Sequence, residues 1–242
     1  MEHQDMTSQE KKLAIRKSYF INAAADIIAE RGVGALTVKE VAANAGYHSS
    51  TLYNYFQDFD HLIFLASMRF VAPYAKDLRT FIKDDEDSLS AYLKVSELFA
   101  YHSFKTPEIF YTVFYSQIRE RISDRNLVKE YYDIYPSDLN GLGGMLGDMA
   151  LTQNIYQREA IALRPCAVAG YIREEDVVEL SEIHNYIHLG MLERVLNEQG
   201  YRQNTDLGGV YLKYTIRTLK NYLVKPVDFS NVLRFDGTRF VI

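Results

Sequence analysis

Thr37, Lys39, His48, Ser49, Ser50 and Asn54 bring hydroxyls, an ammonium group, an imidazole and an amide into one short stretch of chain. No nucleophile, base and orienting group stand among them in a set that sequence can identify, so the chemistry they offer is recognition. An Asn amide addresses adenine through two hydrogen bonds, and hydroxyl or ammonium groups hold phosphate oxygens. The stretch from Thr37 to Phe56 reads TVKEVAANAGYHSSTLYNYF, two short helical patterns joined by Ala45-Gly46-Tyr47. That is the pattern of a helix-turn-helix. In such a motif Thr37 and Lys39, at the start of the bracing helix, are placed for phosphate contact. Tyr47 sits in the turn. His48, Ser49, Ser50 and Asn54 face bases, while Thr51, Tyr53 and Tyr55 bond phosphates or touch a thymine methyl. The competing reading is an ordinary helical corner whose polar face is only solvated.

These residues need elements to position them. A first helix begins near Thr7, where Thr7-Ser8-Gln9-Glu10 fits a capping box. Leu13, Phe20, Ala24, Ile27 and Ile28 recur on one face, and Gly32 ends the helix. Thr37-Val38-Lys39-Glu40 fits a second capping box, with Val38, Val41, Ala42 and Ala45 on a small buried face. Ser49 to Tyr55 comes next as a third helix, Leu52 and Phe56 inward.

From Asp58 onward the helices lengthen, and Pro73 is expected to kink the first of them. Further helices are predicted over 88–104, 107–123, 126–135 and 152–169. The longest clean pattern, Glu174 to Gln199, places Val177, Leu180, His184, Ile187, Met191 and Val195 on one stripe, which needs a partner helix. The next, Asp206 to Leu223, carries apolar residues on two faces, Tyr214 on one and Ile216 on the other. From these two helices Leu180, His184, Ile187, Met191, Tyr214 and Ile216 are expected at a subunit interface. Asp236-Gly237 between short apolar stretches predicts a type I′ hairpin.

Composition agrees with a large helical protein that touches nucleic acid only locally. The 242 residues carry a net charge of −5, yet residues 10 to 57 hold six Lys/Arg against four acids. One cysteine, Cys166, forms no intrachain disulfide and points to a reducing compartment; no apolar run suits a membrane span, so a cytoplasmic protein is expected. His184 and His188 have the spacing of two metal ligands, but no third ligand is nearby, and neither a metal nor a cofactor is expected. Gly141, Gly143, Gly144 and Gly147 lack the preceding strand of a phosphate loop. Most of the 19 Tyr and 13 Phe lie in the C-terminal region. Tyr101, His102, Phe110, Tyr111, Phe114 and Tyr115 are candidates to line a ligand cavity, since Tyr and His set a polar tip on an apolar wall.

Residues 14 to 68, with AAADIIAERGVGALTVKEVAANAGYHSSTLYNYF followed by a helix start and Leu62, resemble the DNA-binding domain of the tetracycline-repressor (TetR) family. The resemblance implies an all-α homodimer, not an enzyme: a three-helix DNA reader over 8–60 and a larger helical ligand-binding and dimerisation domain over 61–242. It implies an operator in double-stranded DNA, a small-molecule effector, and dimerisation through the last two long helices. Two positions depart from the family pattern. His48 stands where a capping Ser is usual, and Phe59 where a phosphate-contacting Lys is usual. The second change leaves backbone contacts to lean on Lys11, Lys12, Arg16 and Lys17.

Overall fold

The computed structural model describes residues 7–83, 85–118, 122, 126–198, 201, 206–230, 232 and 234–241. In chain order the helices are α1 (Ser8–Arg31), α2 (Val38–Asn44), a 3-10 helix (Ser49–Asn54), α3 (Phe59–Met68), α4 (Ala72–Phe81), α5 (Ser88–Lys105), α6 (Pro107–Phe110), α7 (Leu127–Ile134), α8 (Gly144–Leu151), α9 (Ile155–Val168), α10 (Val177–Asn197) and α11 (Leu207–Leu219). Strands β1 (Arg234–Phe235) and β2 (Phe240–Val241) pair antiparallel.

Packing divides the chain into two compact units, Met1–Ala72 with Ser116–Asn140, and Pro73–Tyr115 with Gly141–Ile242, as far as these residues are described. The first unit therefore takes in α3 and α7, which a simple split at residue 60 separates from it. The reason is burial: His61, Leu62, Phe64 and Leu65 of α3 are fully buried.

Local signals shape the first unit. The Thr7 hydroxyl accepts from the Glu10 N–H, and the Glu10 carboxylate accepts the Thr7 N–H at 2.8 Å, completing the capping box. Gly32, at φ 81°, closes α1. Burial along α1 starts at Lys17 and continues through Phe20, Ala24, Ile27 and Ile28. Leu13 is 43% exposed, because the first turns of α1 precede that packed stretch. Thr37 caps α2 through the Glu40 N–H, but the Glu40 carboxylate pairs with Arg31 instead of turning back, so the second box is half made.

The second unit is built around α5, α9, α10 and α11. The expected helix over 107–123 begins with Pro107 but gives way after one turn to a π-turn at Tyr111–Tyr115, and its residues 119–121 and 123 lie outside the described residues. The helical stretch that Pro73 was expected to kink is interrupted earlier, by a 3-10 turn at Arg69–Val71, and Pro73 occupies the first turn of α4, where its missing N–H costs nothing. The terminal hairpin pairs Phe235 with Phe240, leaving a four-residue connection in place of a two-residue type I′ turn. The Asp236 carboxylate explains the longer loop, accepting from the backbone N–H groups of Thr238 and Arg239.

Candidate nucleic-acid interface

The recognition surface starts from one buried ring. Phe20 of α1 is fully buried and stacks on Tyr47 at 4.9 Å and 23°, while Phe56 meets it edge-on at 5.9 Å and Tyr55 tilts against it at 5.8 Å. The Tyr47 N–H donates to the Ala42 carbonyl at 2.8 Å. Gly46 takes φ 81°, a left-handed conformation open to Gly at no steric cost, and so turns the chain sharply between the two helices. Tyr47 and Tyr55, expected at DNA, pack their rings on Phe20 and are half-buried.

His48 begins the recognition segment in extended conformation, its carbonyl accepting from the Thr51 N–H at 2.9 Å. Its imidazole makes no capping hydrogen bond and is exposed, as the departure from the family pattern suggested. Ser49, Ser50, Tyr53 and Asn54 are exposed beside it, Thr51 is half-buried, and Leu52 is fully buried below. The segment is a 3-10 helix instead of the expected α-helix. A run of Ser-Ser-Thr favours this, since short hydroxyl side chains compete for backbone groups and lower helix propensity. Thr37 and Lys39 are exposed at the start of α2.

Beneath this surface lies a buried polar trio that the sequence did not announce. Glu130 of α7 accepts from the Lys17 ammonium of α1 and from Nε2 of His61 in α3 at 3.1 Å. The Gln57 N–H donates to His61 Nδ1, so the imidazole proton sits on Nε2 and points at Glu130. Burial pushes the Glu130 carboxyl up, but the hydrogen bonds and charges of His61 and Lys17 outweigh it and bring the pKa to about 2. Lys17 is only 6% exposed and committed to this carboxylate. It is therefore not available for phosphate, whereas Lys11, Lys12 and Arg16 are exposed.

In the second unit the candidate ligand residues scatter. Phe110 and Phe114 join a close cluster with Phe99 and Tyr74, rings 5.3 to 6.1 Å apart. Tyr101 packs edge-on against Phe235, and His102 Nε2 bonds Asp77 at 2.7 Å. Tyr111 is half-buried near Glu193. Tyr115 donates to His188 Nδ1 at 2.8 Å. Ser103 gives its proton to the Ala100 carbonyl, so His188 Nε2 must donate to Ser103. Burial pushes the His188 pKa down to about 3.

His184 bonds Thr218 at 2.7 Å and Tyr92, and Tyr92 in turn bonds Glu159. All four imidazole nitrogens of the two histidines are occupied within the fold. Cys166 is buried, and burial raises its pKa to about 12. No helix among the described residues is long and apolar enough to cross a membrane.

The expected interface residues divide too. Leu180, His184 and Met191 are buried within the chain itself. Ile187 and Ile216 are half-buried, and Tyr214 is 41% exposed. Val178 and Tyr186, which the stripe omitted, are more exposed still.

A turn fixed by an aromatic stack, a capped bracing helix and an exposed polar face define a helix-turn-helix DNA-binding transcription regulator. Residues 20–64 match the model for bacterial regulatory proteins of the tetR family, a family of transcription regulators. The fold is similar to solved structures of other proteins. One is FadR of Thermus thermophilus, a transcriptional repressor in complex with lauroyl-CoA, with 14% identity, a TM-score of 0.56, and 88% of this chain and 98% of that chain covered. Another is RolR in complex with resorcinol, also 14% identical with a TM-score of 0.56, covering 92% of this chain and 98% of that one. No curated protein matches the sequence.

Proposed function

We propose that this regulator is a homodimeric repressor that leaves a palindromic operator when a small molecule binds its second unit, while residues 8–60, supported within the first unit, read DNA. The observation that carries the DNA half is the exposed face of His48, Ser49, Ser50 and Asn54 set on the Phe20–Tyr47 stack. The ligand half is supported by similarity to FadR and RolR, each solved with a bound small molecule. Two-fold symmetry places the two recognition segments about one DNA turn, roughly 34 Å, apart, so a shift of a few ångströms spoils simultaneous docking. Effector and operator affinities are then coupled reciprocally.

Selection of genomic fragments by the purified protein supplies the operator. On it, Lys39→Ala weakens binding alike at matched and mismatched sites and lowers the salt slope by about one unit, as loss of a phosphate contact does. His48→Ala changes the preference among sites; equal losses on matched and mismatched operators refute base reading by His48. A dimer built through Ile187 and Tyr214 predicts that Ile187→Asp with Tyr214→Glu yields a monomer without operator binding. A tight monomeric binder refutes the dimer mechanism.

A further inference from the structure

Arg158 of α9 is a guanidinium buried inside the second unit, 7% exposed. It falls on the buried line of its helix with Ile155, Ala162 and Cys166. Among the described residues no carboxylate lies within ion-pair distance of it. Its sequence neighbour Glu159 is engaged elsewhere, accepting from Tyr92 at 2.6 Å and lying 3.7 Å from His184 Nδ1. What Arg158 does touch is neutral: Nη1 donates to the Met149 carbonyl at 2.7 Å, and the faces of Tyr74 and Phe114 flank it at 5.5 and 5.4 Å, the Tyr74 hydroxyl lying on the same side.

The carbonyl belongs to the last turn of α8, whose partial negative charge compensates a fraction of the cation. Two aromatic faces add a further part. A guanidinium has five N–H donors in a planar fork matched to a carboxylate, and these neutral contacts leave most of the fork unused. A buried charge without an opposite charge is costly, and chains keep one where an anion completes it.

We propose that Arg158 is the anchor for the effector, and that the effector is a carboxylate carried on an aromatic or other apolar body. The carboxylate takes the free edge of the fork, and the body lies along Phe114, which flanks the guanidinium, and along Phe110 and Phe99, which pack against Phe114. This rests on the ligand-responsive reading above and adds the ligand's charge to it. Recognition of this kind discriminates sharply between an acid and its amide, because the amide leaves the buried cation uncompensated.

The test is thermal unfolding and operator release of the full chain with benzoate, cinnamate and dodecanoate, each paired with its uncharged amide. The expected result is that at least one acid raises Tm and releases DNA while its amide binds about tenfold more weakly or not at all. Arg158→Met loses the response, and Arg158→Lys, which keeps the charge but not the fork, retains part of it. Tyr74→Phe, keeping the ring, serves where Arg158→Met does not fold, and weakens the acid by a smaller factor.

The second unit offers another cationic place, an outer groove of about 440 Å³ with Lys213, Arg217 and Lys220 beside Leu212, Ile216 and Phe229. Loss of the acid response in Lys213→Glu with Arg217→Glu but not in Arg158→Met moves the site there and overturns the proposal. Equal binding of acids and amides, or no response to any acid, also overturns it. If neutral compounds release the operator from wild type and Arg158→Met alike, the ligand-responsive reading stands and the Arg158 assignment falls. If no compound of either kind releases it, both fall.

Discussion

The two units differ in what they leave open among their buried polar groups. In the reader, buried charge is closed on itself: Lys17 and Glu130 neutralise one another beneath the recognition surface, with the His61 imidazole hydrogen-bonded to the same carboxylate. In the second unit the buried Glu97 carboxylate is likewise paired, with Arg234, and His188 is held by Ser103 and Tyr115, but the one buried guanidinium lacks a counter-charge among the described residues. A closed trio suits a platform that must hold one shape; an open cation suits a place where something else binds. The contrast also gives the units different responses to acid.

The largest effect should come from the ring on which the reader rests. Phe20→Ala removes a fully buried aromatic and its contacts with Tyr47 and Phe56, which costs about 4 kcal/mol. Thermal unfolding and operator binding should both collapse; a variant that still binds DNA at full strength would show that the stack does not set the turn.

Acid should reach the second unit first. Between about pH 6.5 and 3 the unfolded chain protonates His188 while the folded chain keeps it neutral, so stability falls as pH drops through that window. The loss is about 3 kcal/mol by pH 4. Hydrogen exchange along α10 reports it, and His188→Gln should flatten the slope. The reader behaves otherwise. Glu130 stabilises while ionised, and that contribution is lost only as pH falls from about 4.5 to about 2. On the order of 2 kcal/mol disappears there, read by exchange along α3. Glu130→Gln should lose it already at pH 7 and show no acid slope in that range. Simultaneous acid loss in both units would erase the distinction.

The smallest effect concerns the bracing helix. Thr37→Ala deletes the one side-chain cap on α2 and should cost about 1 kcal/mol, with Thr37→Ser restoring it. Circular dichroism melting distinguishes the two.

Legibility in the sequence divides along the same line. The reader is written in local signals: a capping box at Thr7, glycines at the two helix ends, and small residues in α2, each acting within a few positions of chain. Its exposed polar face was legible for that reason. Lys17 and Glu130 stand 113 residues apart, and no local pattern ties them. Leu180, His184 and Met191 showed that a stripe reports burial without saying which surface does the burying. Arg158 left only a faint mark, a cation on the apolar line of α9. The 3-10 form of Ser49–Asn54 was foreshadowed by its hydroxyl-rich composition, although helical spacing alone predicted an α-helix.

The position of Glu130 has a consequence for synthesis. As the chain leaves the ribosome, α1, α2 and α3 emerge first, with Lys17 and His61 still lacking their carboxylate. The DNA-reading unit is complete only after α4, α5 and α6 have passed and α7 has emerged. A fragment ending at Ala72 should therefore be a poorer folder than its tidy helix-turn-helix suggests. Supplying residues 116–140 as a separate peptide should restore part of what it lacks.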